Sequence, residues 1–153
     1  MKGKIAALAA LAVVCAACVI SPAAMDRLKD RPPTATDEDG RAYLARAMQA
    51  SLTFTVPKER SDEVWSLVNS FIAHYSSMKV QTASDYIIST YNPDAIYNYG
   101  YSATRAIRAD GIEFAVMCFS GGNPPVQRIS NQNAHILALY LQTGELRPEF
   151  ILQ

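Results

Sequence analysis

Enzymatic chemistry needs a nucleophile, a base or a metal set, and the chain holds few of these groups. It has two histidines, His74 and His135, and three cysteines, Cys15, Cys18 and Cys118. No His-Glu-x-x-His, no pair of Cys-x-x-Cys units and no Gly-x-Ser-x-Gly occurs, so no metal, cofactor or nucleophile elbow is expected. Asp85 and Glu113 fall on separate predicted strands, and only the fold could bring them together as an acid and base pair. His74 stands at the edge of one helical stripe, and His135 is placed off the apolar face of another, both as boundary residues. Cys118, inside Phe114-Ala-Val-Met-Cys-Phe119, reads as a small buried hydrophobe.

The set that could bind is Tyr97, Tyr99, Tyr101 and Arg105, all of one parity on one predicted strand and therefore on one face. Tyrosine is amphipathic, and an arginine beside it can stack on a ring while its charge reaches water. Two readings stay open: the tyrosines cover the end of the core while Arg105 snorkels to the rim, or the face docks a ligand or a protein.

That strand must be held by a partner. Asp110-Gly111 is a two-residue hairpin signal. Placing it at the tip pairs Ala109 with Ile112, Arg108 with Glu113, Ile107 with Phe114, Arg105 with Val116 and Ala103 with Cys118. Ile107, Phe114, Val116 and Cys118 then share the core face. A further strand is predicted over Thr82 to Tyr91, and another over Ser51 to Val56 with Leu52, Phe54 and Val56 inward. Helices are predicted over Gly40 to Gln49, over about 62–76 with Ser61 as cap, and over Asn131 to Gln142 with Ser130 as cap and Gly144 as stop. Trp65 and Phe71 are expected in the core from the middle helix. Ser120-Gly-Gly-Asn-Pro-Pro125 reads as a plain loop, because no Gly-Lys-Ser/Thr and no helix follow its glycines. Phe150-Ile-Leu152 is expected to add a short edge strand or to dock on the core. The resulting fold class is α+β, a two-layer sandwich with an antiparallel sheet of about four strands and the helices packed on one face.

The N-terminus reads differently. Lys2 and Lys4 precede 16 uncharged positions, Ile5 to Ile20, which is a signal peptide in outline. As a helix the run would reach roughly 24 Å, short of the ~30 Å hydrocarbon core, so a retained span is not expected. Ala16-Ala17-Cys18 after this run resembles the lipobox of bacterial lipoproteins, with Cys15 where an aliphatic residue is usual. That resemblance implies a lipid on Cys18 and, with Val19 rather than Asp following, sorting to the outer membrane. Ordinary secretion, with cleavage after Ala17 or Ala23, is the alternative.

Three domain segments follow: 1–17 as signal peptide, 18–38 as lipidated cysteine and proline-bearing tether, and 39–153 as a single α+β domain. The layout of lipobox, tether, strand, amphipathic helix and hairpin is similar in architecture to the small domains of NlpB-type outer-membrane lipoproteins, over residues 51–120.

With 14 Lys+Arg against 14 Asp+Glu in 153 residues, and no basic cluster, the chain lacks the footprint that phosphate backbones require. Nucleic acid is not an expected partner. A membrane, through the lipid, and an envelope protein are. The functional expectation is a lipid-anchored interaction or assembly module of the cell envelope without catalytic activity. The alternative is a small envelope hydrolase or ligand-binding enzyme using Tyr, Asp or Glu groups.

Overall fold

The computed structural model describes residues 38–95, 98–121 and 124–152. Cys18, the tether and Tyr97 lie outside the described residues. The chain forms helix α1 (Glu38–Gln49), strand β1 (Thr53–Val56), a 3-10 turn (Lys58–Arg60) and helix α2 (Ser61–Tyr75). Strands β2 (Val80–Ala83), β3 (Ile87–Thr90), β4 (Tyr99–Arg108) and β5 (Gly111–Ser120) follow, then helix α3 (Pro124–Thr143) and a 3-10 turn (Pro148–Phe150). The sheet is antiparallel with order β1-β5-β4-β3-β2. This is the expected α+β sandwich, with five strands.

The extra strand comes from the segment predicted as one, Thr82 to Tyr91. Ser84 breaks it by a local hydrogen-bond pattern: its Oγ accepts from the backbone N–H groups of Tyr86 and Ile87, both at 3.2 Å. A side chain thus supplies the turn without glycine or proline. The first of the two strands, β2, is the sheet edge, and Gln81 is an extra residue in it, since Val80 pairs with Thr90 but Thr82 pairs with Ser89.

The β4–β5 hairpin forms where expected but two positions out of register. Arg108 faces Gly111, Ile107 faces Ile112, Arg105 faces Phe114 and Tyr101 faces Cys118. Neither Ala109 nor Asp110 takes positive φ, so the tip is not the primed turn that would put Asp110-Gly111 in its centre. The positive φ falls on Gly111 (156°), beyond the two tip residues. A Cβ there would sit 2.4 Å from the Val56 carbonyl oxygen, so glycine also admits β1 to its place beside β5. Because the shift is by two, parity survives and the core face is the expected one.

Pro124 and Pro125 open α3 rather than end a loop, so this helix begins seven residues before the expected start and Ser130 lies inside it. Proline suits the first helical turn, where its missing N–H costs nothing. Ser61 likewise does not cap α2: the 3-10 turn runs directly into the helix through Arg60. Helix α3 packs on β5 and is met by α1 and α2. Ala134, Ile136, Leu137, Ala138, Leu139 and Leu141 are therefore all buried. His135, expected away from the apolar face, is half-buried. Its Nδ1 donates to the Ala50 carbonyl at 2.9 Å, since a carbonyl can only accept. Gly144 stops the helix with φ 78°. Phe150 and Ile151 dock on the core, and Phe150 stacks near Tyr43 at 5.4 Å.

Candidate functional site

Phe71 of α2 is buried and meets the Tyr101 ring edge-on at 5.4 Å. Trp65, six residues earlier and also expected in the core, is only half-buried at its margin and lies at 6.3 Å from Phe114. The difference follows from where the sheet ends. Near Tyr101 the core face of β4 is covered by helix, whereas at Arg105 and Ile107 it runs out toward the hairpin tip.

The expected tyrosine row divides accordingly. Tyr99 and Tyr101 are 2% and 0% exposed, which makes them wall of the core, the first of the two readings left open, and removes them from any docking face. Arg105 shares their side of the sheet, but it is joined to other residues. Its Nε donates to the Asp85 carbonyl, its Nη1 to Ser61 Oγ at 3.2 Å and to Asp62 Oδ1 at 2.8 Å. The guanidinium also lies 5.0 Å from the centroid of the Trp65 ring. The expectation that an inward arginine must reach water or find a partner is met by partners: the side chain is only 16% exposed. It ties the β2–β3 turn and the start of α2 to the middle of the sheet.

Arg105 lines a cleft of about 340 Å³ together with Lys58, Ser61, Asp62, Tyr86 and Ile107, in the range of small-ligand sites. The carboxylate that meets the guanidinium is held loosely, since Asp62 is 93% exposed. Such a pair contributes about 0–1 kcal/mol. The apolar wall is open as well, with Tyr86 58% and Ile107 65% exposed. Of these residues the sequence singled out only Arg105 for binding; Ile107 was expected in the core, and its 65% exposure corrects that, because the sheet runs past the helices there. Asp62 is one of two acids in the first turn of α2, a common helix feature that does not mark a site, and nothing in local spacing brings Tyr86 or Lys58 to β4.

A second cleft, of about 240 Å³, lies between α2 and α3 and is lined by Ser70, Phe71, His74, Tyr75, Tyr140 and Leu146. His74 packs edge-on to Tyr75 at 4.7 Å. Among the described residues no hydrogen bond joins Ser70 to His74, and no group of three or more His, Cys, Asp or Glu side chains could hold a metal ion. Asp85 and Glu113 are not gathered into one site: Asp85 offers Arg105 its backbone oxygen, and Glu113 pairs with Arg108 at 2.5 Å on the other face of the sheet.

In the core, burial pushes the Cys118 thiol up to about 12 from 9.0 and raises Tyr101 as well. The Tyr101 hydroxyl is buried without a hydrogen bond of proper geometry. Its polar neighbours are Cys118 and Asn133, and the Asn133 amide is committed to Leu152, donating to its carbonyl at 2.8 Å and accepting from its N–H at 3.1 Å. These groups are structural, and thiolate chemistry at Cys118 is suppressed. No protein family, no curated protein and no solved structure matches the chain.

Proposed function

We propose that the chain is a lipid-anchored module of the bacterial cell envelope that binds a partner rather than turning over a substrate. The observation that carries the binding half is the Arg105 cleft: a guanidinium fixed by three acceptors and an indole, next to apolar side chains left open. Rigid placement of a charged group beside accessible apolar surface is what recognition requires, and the Ser61 hydroxyl and Asp62 carboxylate that line it are both turned to the guanidinium rather than to each other. The anchoring half rests on Lys2, Lys4, the apolar run and Ala16-Ala17-Cys18. By resemblance this half implies the outer membrane, facing the periplasm. Two or more acyl chains anchor a protein stably where one is marginal.

The test has two arms. Labelled palmitate should enter the parent chain and not Cys18→Ser, which should leave the membrane fraction. Absence of label in the parent would reduce the address to ordinary export. In the second arm, the lipidated protein crosslinked in whole envelopes should recover an envelope protein that Arg105→Met does not, and equal recovery by that variant would remove the cleft from the reading.

The alternative of a small envelope hydrolase is favoured by one observation, the gathering of Ser70, His74, Tyr75 and Tyr140 around the second cleft. Ester hydrolysis lost on His74→Ala with the fold intact would establish it in place of the first reading.

A further inference from the structure

The chemistry of the Arg105 cleft narrows what it takes, and the inference rests on the binding reading above. Arginine offers five N–H donors in a planar fork matched to carboxylates. Here Nε and Nη1 are occupied, and Nη2 has no acceptor among the described residues. The plane of the fork is already set by Asp85, Ser61 and the Trp65 ring, so a ligand need not order it. The cleft shows one carboxylate in contact with this group already: Asp62, bound at 2.8 Å yet almost wholly exposed. It is a tethered stand-in that water competes with freely, and a ligand carboxylate with an apolar body can displace it or sit beside it on Nη2.

Charge and shape restrict the ligand further. Lys58 and Arg105 against Asp62 leave the lining with one positive charge in excess, which suits a monoanion. A phosphate dianion would leave the cleft with an uncompensated negative charge beside Asp62. Beside the charges stand Tyr86, Ile107, Ile112 and Ala106, a wall for an aliphatic or aromatic side chain. We infer that the cleft binds a free carboxylate carried on an apolar residue, the chemistry shared by the C-terminus of a peptide ending in a hydrophobic amino acid and by a free N-acyl amino acid.

The chain holds one tryptophan, Trp65, and it lies against the guanidinium in question, so its emission reports on this site alone. The experiment titrates the full-length chain in detergent with N-acetyl-leucine and with N-acetyl-leucinamide, which differs only in lacking the charge. A saturable change in Trp65 emission is expected with the acid, and the amide should bind about tenfold or more weakly, the loss of one charge-assisted hydrogen bond. Asp62→Ala should bind the acid several-fold more tightly, because the internal competitor is gone, whereas an arginine that serves only to brace the fold gives no saturable response in either protein. Lys58→Met, an exposed substitution, should weaken the acid and leave the amide unchanged.

Acetyl-Ala-Ala-Leu distinguishes the sources: tighter binding than N-acetyl-leucine points to a peptide terminus, and equal binding to a free acid. No saturable change in the parent and in Asp62→Ala, or an equal response to the amide, overturns the inference. Envelope partner recovery that depends on Arg105 would survive that failure, so the two readings fall separately.

Discussion

Arg105 is the residue whose environment reverses a simple expectation. Were it only snorkelling, Arg105→Met would leave stability level or raise it. With Ser61 Oγ and the Asp85 carbonyl relying on it, the same substitution is expected to cost about 1–3 kcal/mol by leaving acceptors without donors. Urea unfolding read by far-UV circular dichroism checks this, and an unchanged midpoint would show that the two acceptors find water. Tyr101 behaves oppositely. Its hydroxyl has no proper partner in the core, so Tyr101→Phe should be neutral to about 1 kcal/mol more stable. The buried thiol sets a pH limit. Because the folded value of Cys118 is raised from 9.0 to about 12, its contribution to stability is complete below about pH 9 and is lost as the pH climbs through that window. Tyr101, raised for the same reason, acts in the same direction. The melting temperature should therefore be level up to pH 9 and fall above it, and Cys118→Ala, though less stable throughout, should show a shallower fall.

Helix α2 and the hairpin carry the element-scale predictions. Phe71 is buried between Tyr101, Tyr75 and Tyr140, and Phe71→Ala is expected to cost about 3–5 kcal/mol, a large part of a small domain's stability. Loss of a cooperative melt is the expected reading, and a change of a few tenths would place the helix face wrongly. Gly111→Ala should cost about 1–3 kcal/mol through its positive φ and through contact with the Val56 carbonyl. Amide exchange should then accelerate in β1 before it does in β4.

Periodicity located α1, α2, β1 and the hairpin because each buries one clean face. It failed where a side chain or a proline does the work of a turn residue. Ser84 makes a turn inside a β-rich run, and Pro124-Pro125 begins a helix where two prolines read as loop. The hairpin slipped by two because the positive φ sits after the turn and not within it, a choice set by β1 and not by the tip. Parity, and with it the membership of the core face, was legible. The depth of Tyr99 and Tyr101 was left open between core wall and docking face, since how far the helices extend along a sheet is a property of packing. The candidate site was legible only at Arg105. Its companions come from the 3-10 turn, from α2 and from the β2–β3 turn, segments that no local pattern joins.

At the scale of the whole molecule, among the described residues, one layer of helix covers one face of the sheet, and no element packs on the other face or pairs with the outer edges of β1 and β2. Val80, Gln81, Thr82 and Ala83 of β2 are exposed and carry no charge, and the nearest charge on that edge is the exposed Lys79, whose carbonyl accepts from the Tyr91 N–H at 2.9 Å. Within β2 itself, Gln81 is the unpaired residue that breaks the regular spacing of N–H and C=O groups a second chain would need. Removing that one residue would straighten the strand into a flatter template on which a second chain could pair. A single surplus glutamine thus makes this edge a poor template for edge-to-edge pairing.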